Sequence, residues 1–332
     1  MVTASVIVPA YNAEAFIGRA LASVLVQTEP ALEVLVIDDA STDGTAARVA
    51  QIARQDPRVR LLHLAVNSGP GAARNRGLEA ARGEWVALLD ADDAFTPQRI
   101  ATLCALGAQT HADLVSDNLL LCPEHGGAAF PMIPNAVLGA PRPMSAAEFI
   151  AGNIGNPRTP RISYGFMHPI VRRSFLVRHR LRYEEQNRFG EDFLFYLACL
   201  AHGATWWITP AALYRYSVRA GSLTEAQSAA DLNRIRAAER RLLDDPATAA
   251  DPAFRRLLRR HLRGIDRRYA YRAFTDAVKD RAYRRALRLL FEDRSSFGHV
   301  ARESTVQAPV ILRKALCGGY RLRGHGHARP SE

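Results

Sequence analysis

Three carboxylates close the stretch EWVALLDADDAF, residues 84–95: Asp90, Asp92 and Asp93 follow directly on an apolar run. At the end of a buried strand they repel one another unless a cation or a set of donors neutralises them. Asp90 and Asp92, two apart, point the same way in extended chain, unless the turn after Leu89 alters this. Two hard oxygen ligands that leave positions open for phosphate oxygens suit Mg2+ or Mn2+. Other groups with chemistry to offer stand at similar places. Pro9, Tyr11 and Asn12 follow one apolar run, Asp38 and Asp39 end a second, and NSGPGAARNRG, carrying Arg74, follows a third. An aromatic ring can stack on a base, and a carboxylate accepts hydrogen bonds from a base N–H or ribose hydroxyls. The set suits a nucleotide. Singly, each has a plainer reading: IDDAST as turn and helix-cap residues, Tyr11 as cover for a sheet edge. GPGAARNRG fits neither the P-loop pattern nor the dinucleotide fingerprint.

The elements that would position these groups follow from periodicity. ASVIVPA, LEVLVID, VRLLHL and EWVALLD are short apolar runs separated by stretches with helical spacing, at 14–27, 43–55 and 69–81. The second helix would open at Ser41 or Thr42 as N-cap, with Asp43 in its first turn. This βαβα pattern predicts an α/β fold with a mostly parallel central sheet and helices on both faces. In such sheets ligands bind beyond the carboxyl ends of the strands, where the aromatic, the acids and the arginine converge.

Beyond Pro97 a helix and the strand ADLVSDNLLL follow, then Pro- and Gly-rich chain over 122–165 that reads as long loops. GEDFLFYLACLAHG returns as a helix, with Phe193, Tyr196, Leu197 and Leu200 as its apolar stripe and Gly203 as its stop. TWWITPAALYRYSV reads as extended segments broken by Pro210, and YRYSVRAGSLT places Arg215, Arg219, Ser222 and Thr224 in or beside a loop able to fold over a diphosphate. Helical spacing dominates from about Asp231. The expected division is a nucleotide-binding and catalytic domain over 1–225, a basic helical region over 226–318 and a flexible tail over 319–332.

Composition is that of a folded globular protein, with 48% apolar and 23% charged residues. Four scattered cysteines without a C-x-x-C pair argue against a disulfide framework or a zinc site and fit a reducing cytoplasm. No window reaches the roughly 18 continuous apolar residues of a membrane span, and no basic leader precedes the first strand. The net charge of +11 is uneven: Asp251 to Glu332 holds 18 Arg and 2 Lys against 8 acids, whereas residues 1–250 hold 24 basic and 25 acidic residues. Such an end could meet anionic lipid, nucleic acid or an acidic partner, or be a solvated set of helices.

SVIVPAYNAE, VLVIDDASTDGT, NSGPGAARNRGLEAARGEWVALLDADD and FGEDFLFYLACLAHG together resemble the signature blocks of glycosyltransferase family 2, the inverting nucleotide-sugar transferases of GT-A fold. The resemblance covers about residues 1–225. YGFMHPIVRRSFLVRHRLRYEEQNRFGED is most similar to the bacterial branch that builds exopolysaccharides of the succinoglycan type. It implies that Pro9, Tyr11 and Asp39 surround the base, that Arg74 lies near the nucleotide and Asp90 near the ribose, and that Asp92 holds Mg2+ or Mn2+ on the diphosphate. Asp192 would be the catalytic base, with Glu191 orienting the loop or an acceptor hydroxyl. The donor is expected to be a UDP-sugar and the acceptor a polyprenyl-diphosphate-linked glycan at the inner face of the plasma membrane. Alanine at 40, where relatives carry glycine, is a small departure. The absence of Q-x-x-R-W favours addition of one sugar over polymer synthesis.

Three other readings compete. A catalytically inactive homologue could act as a scaffold through the basic helices, but Asp92 and Asp192 are both retained. A nucleic-acid binder lacks a recognition motif. A nicotinamide-dependent enzyme fails at VPAYNAEAF, which lacks the glycines that admit a pyrophosphate. His168 reads as a hydrogen-bonded structural histidine, and His325 and His327 as part of the tail.

Overall fold

All seven residues of LEVLVID are buried, as a strand covered by helices on both faces requires. Neighbouring side chains divide between two cores: Ile7, Leu35 and Ile37 face one, and Val6, Val8, Val34 and Val36 the other. The computed structural model describes residues 2–124, 127–154, 162–218 and 228–292. The strands are β1 (Ala4–Ala10), β2 (Leu32–Asp38), β3 (Val59–His63), β4 (Trp85–Leu88), β5 (Ala94–Phe95), β6 (Leu114–Pro123), β7 (Phe130–Pro131), β8 (Arg142–Pro143), β9 (Ile170–Arg172) and β10 (Trp206–Val218). The helices used below are α1 (Glu14–Leu25), α2 (Thr45–Gln55), α3 (Pro70–Ala80), α4 (Arg99–Thr110), α5 (Asn135–Leu138), α6 (Ala146–Ile154), α7 (Arg173–His179), α8 (Glu191–Ala201), α9 (Ala229–Asp244), α10 (Pro246–Ala250), α11 (Pro252–Lys279) and α12 (Tyr283–Glu292).

The sheet runs β3-β2-β1-β4-β9-β6-β10-β5, with β7 and β8 attached to β6 and β10. β1 is parallel to β2 and β4, and β2 is parallel to β3. β9 is antiparallel to both β4 and β6, while β10 is parallel to β6. The chain winds outward from β1 through β2 to β3 and then returns to pair β4 on the other side of β1. The strand order therefore reverses between β1 and β4, the kind of crevice where open α/β sheets bind ligands.

Several local expectations change. Helix α2 starts two residues later than predicted and has no side-chain N-cap; Asp43 accepts instead from Thr45 N at 3.0 Å and Glu14 N at 3.1 Å. β10 is one strand, not two segments; irregularities between Ile208 and Tyr214 absorb Pro210 without ending it. The loops expected over 122–165 contain α6, whose start carries a Ser145-x-x-Glu148 capping sequence, with Glu148 N donating to Ser145 Oγ at 3.1 Å.

Contacts group the chain into two compact units. One holds residues 1–227 and 234–262, the other 228–233 and 263–332. Residues 234–262, placed with the basic helical region on sequence, thus belong with the first unit, where Phe254 and Leu258 are buried in the core that includes α8. In the second unit Ile265, Ala270, Ala273, Ala277 and Ala286 are buried. No helix of the described residues is long and apolar enough to cross a membrane. The tail, 319–332, lies outside the described residues.

Candidate active site

The loops after β1 and β2 are sewn together. Asn12, at φ +48, accepts from Thr42 N at 2.8 Å through its side chain, and its own N–H donates to Ser41 Oγ at 3.0 Å. Ala13 N donates to Thr45 Oγ1. Tyr11 stands beside this seam 51% exposed, its ring open to a stacking partner, while Pro9 is half-buried at the end of β1. Asp39 is buried and accepts from Ser68 N at 2.7 Å and Gly69 N at 2.8 Å, one to each oxygen. It thereby anchors the loop that enters α3. Each oxygen keeps a second lone pair for a base N–H.

The glycines of NSGPGAARNRG serve packing and turning. Gly69, at φ +89, is the turn residue before α3. A Cβ on Gly71 would come 3.2 Å from the Glu184 carbonyl, so the glycine lets residues 184–185 press on the first turn of α3. A methyl on Gly77 would overlap Ile7 of β1. The chain that precedes α8 is thus docked on α3, and Asn75 secures it by accepting from Tyr183 N at 2.8 Å and donating to Tyr183 O at 3.0 Å.

One residue along from Asn75, Arg74 is the hub of the acid cluster. Its Nη1 donates to Glu191 Oε1 at 2.6 Å, and its Nη2 lies 3.1 Å from Asp90 Oδ1 and 3.4 Å from Asp192 Oδ2. Burial alone would lower the guanidinium, but Asp192, Asp90 and Glu191 hold it well above its usual value. The three acids after β4 have separate fates. Asp90 faces Arg74 and, at 3.7 Å, His168; burial opposes its charge, yet the Arg74 guanidinium, and His168 whenever it is protonated, bring it below the usual carboxylate range. Asp93 is spent on structure, accepting from the Tyr214 hydroxyl at 2.9 Å and Ser217 N at 2.8 Å. Burial, then Asp90, pushes it up to about 7. Asp92 stays half-buried, and its carbonyl accepts from Ser217 Oγ at 2.8 Å.

Asp192 occupies the first turn of α8 beside Glu191. Burial outweighs Arg74 and pushes Asp192 up to about 6, with Asp90 adding to the rise. Glu191 is also raised, by burial, although Arg74 opposes the shift. Asp192 Oδ1 is buried without a hydrogen bond, as is His168 Nδ1. His168 stands beside the acid cluster. It sits 1% exposed at φ +41, stacked 4.9 Å from Tyr214, and burial lowers it to about 4, so it is neutral at pH 7. Its carbonyl accepts from Arg99 Nη2 at 2.7 Å, and Arg99 pairs with Asp117 at 2.8 Å in full burial. No motif pointed to that support. Arg219, Ser222 and Thr224 lie outside the described residues.

A sequence profile described as glycosyl transferase family 2 matches residues 5–167. Succinoglycan biosynthesis protein ExoO of Rhizobium meliloti (strain 1021) is 33% identical over 324 residues, 98% of this chain and 89% of that protein. The chain belongs to glycosyltransferase family 2. A further relative of this glycosyltransferase, succinoglycan biosynthesis protein ExoU of the same organism, is 34% identical over 281 residues, 85% of this chain and 80% of that one. The fold is shared with the crystal structure of S. aureus TarS 1-349 in complex with UDP-GlcNAc, at a TM-score of 0.67 and 20% identity over 92% of each chain. The GT-A architecture expected from the sequence is the one found.

The donor set of this family 2 glycosyltransferase fits a divalent cation shared with a ligand. Among the described residues no three His, Cys, Asp or Glu side chains form a cage. One or two carboxylates completed by phosphate oxygens is the usual mode for Mg2+, and Asp92, half-buried after β4, is the carboxylate that the family resemblance assigns to it. The surplus of acids over Arg74, seen in the raised Asp192 and Glu191, favours added positive charge.

Proposed function

We propose that this glycosyltransferase is an inverting enzyme that moves one sugar from a UDP-sugar to a polyprenyl-diphosphate-linked glycan acceptor in exopolysaccharide or other cell-surface polysaccharide biosynthesis. The observation that carries the reading is the shared guanidinium of Arg74, whose Nη2 lies 3.1 Å from Asp90 and 3.4 Å from Asp192. An acid from the far end of the domain thereby stands against the nucleotide side of the crevice. Asp192 accepts the proton of the acceptor hydroxyl as that oxygen bonds the anomeric carbon from the face opposite the leaving group. The bond to the diphosphate breaks, its electron pair departs with the nucleotide, and configuration inverts. Pro9, Tyr11 and Asp39 bind the base, and Asp90 the ribose. Arg74 keeps Asp90, Glu191 and Asp192 in register. Asp92 would hold Mg2+ or Mn2+, which when bound neutralises charge on the departing diphosphate. Arg219 and Ser222 are proposed contacts to the diphosphate or acceptor.

A panel of nucleotide sugars, bound with and without Mn2+, followed by turnover of the best donor, tests this. Asp192→Ala is expected to keep donor affinity and lose transfer; unchanged transfer removes Asp192 as base. Asp92→Ala is expected to abolish metal-dependent donor affinity. Donor binding indifferent to both chelator and this substitution removes the metal role.

The setting of a lipid-linked acceptor supports a second assignment, peripheral attachment at the cytoplasmic face. α12 exposes Tyr283 and Leu287, four residues apart, together with Arg284, Arg285 and Arg288. An exposed apolar pair bordered by arginines is the pattern of a helix that lies in an anionic interface.

A further inference from the structure

Three buried polar atoms in α8 and the chain before it have no hydrogen bond: Asp192 Oδ1, the Tyr183 hydroxyl and the Tyr196 hydroxyl. They belong together. Tyr196 follows Asp192 by four residues and so lies one turn along the same helix face. Tyr183 stacks on Phe195, three residues after Asp192, at 4.1 Å and 8°. The rest of Tyr183 is fully engaged. Asn75 clamps its backbone from both sides, and Arg74 lies 5.5 Å over its ring. A phenylalanine would satisfy every one of these contacts, which leaves the hydroxyl to be explained.

We infer that Tyr183 is a positioning residue for the base, its hydroxyl donating to the Asp192 carboxylate so that the carboxylate stays ionised and oriented while the acceptor approaches. The inference rests on the reading of Asp192 as the base. Other groups also face that carboxylate: Arg74 from α3, Asp90 from beyond β4, and Glu191 and Tyr196 from α8 itself, with His168 behind Asp90. Arg74, like Tyr183, favours the charged form, and Asp90 opposes it. Burial holds the Tyr183 hydroxyl well above its usual value, so it remains a donor throughout the working pH range. A buried carboxylate that loses a hydrogen bond to its charged form becomes easier to protonate.

The test is the titration of Asp192 in the full chain, read from the carboxyl carbon resonance of protein labelled at aspartate and assigned by its loss in Asp192→Asn. Tyr183→Phe is expected to raise the midpoint by about one pH unit. Incorporation of 3-fluorotyrosine at 183, a stronger donor of nearly the same shape, is expected to lower it. With the donor selected by the nucleotide-sugar panel, the acid limb of kcat in Tyr183→Phe should move up by the same amount and the donor KM should stay within about twofold. A midpoint and limb that stay in place in both variants, whatever happens to thermal stability, overturn the role of Tyr183. Transfer retained in Asp192→Asn overturns the base itself. Transfer lost in Asp192→Asn with an unmoved limb in Tyr183→Phe defeats the tyrosine alone.

Discussion

Asp192 and Ala40 show how much a single position can decide. Burial with only one arginine among three acids leaves Asp192 raised to about 6. A base must be ionised to accept a proton, so turnover is expected to fall as pH drops through about 6, which a kcat profile between pH 5 and 8 will read. Ala40 sits at φ +57, in the left-handed region where an L residue costs about 1–2 kcal/mol. The sequence marked it only as a departure from glycine, and the backbone supplies the reason. Ala40→Gly regains that strain and gives back roughly 0.5–1 kcal/mol of chain entropy. A net gain of about 0.5–1 kcal/mol is therefore expected in urea unfolding followed by tryptophan fluorescence. Trp85, Trp206 and Trp207 all lie in the first unit and report on it.

At the scale of elements, strands deliver the nucleotide-side groups, while helices and buried pairs hold them. The carboxylates after β4 meet different neighbours: Asp90 meets Arg74 on α3, and Asp93 meets Tyr214 on β10. The left-handed turn that aims His168 at Asp90 is held by Arg99 of α4, itself paired with Asp117 of β6 at full burial. Removing one partner of such a pair strands the other charge away from water. Asp117→Ala is expected to cost about 3–5 kcal/mol in the same urea measurement. It should weaken donor binding as well, because His168 loses its anchor. The βαβα half of this layout was legible, since its strands are continuous apolar runs and its helices keep their period. β9 was not, because a three-residue strand antiparallel to both neighbours carries too little pattern to read.

For the whole molecule, charge divides as the two units suggest: a nearly neutral catalytic half and a strongly basic end. The described part of that end includes α12, with Tyr283 and Leu287 exposed among arginines. Attachment by this helix predicts co-sedimentation with vesicles containing anionic phosphatidylglycerol at low salt and loss of binding to neutral phosphatidylcholine vesicles. Leu287→Glu should reduce the anionic binding severalfold. Equal association with both vesicle types removes the assignment.

The sequence by itself determined the family and the fold class, because these reside in local patterns: apolar runs, their spacing, and carboxylates placed where strands end. Tertiary structure alone decided which acid does what. Asp90, Asp92 and Asp93 are indistinguishable as letters. They differ because Arg74 arrives from elsewhere in the chain to meet Asp90, and Tyr214 and Ser217 to meet Asp93. The glycines of NSGPGAARNRG admit the chain leading to α8, and Tyr183 and His168 gain their places through partners that no spacing records. The upward shift of Asp192 has the same origin, since burial and neighbouring charge exist only once distant segments have packed.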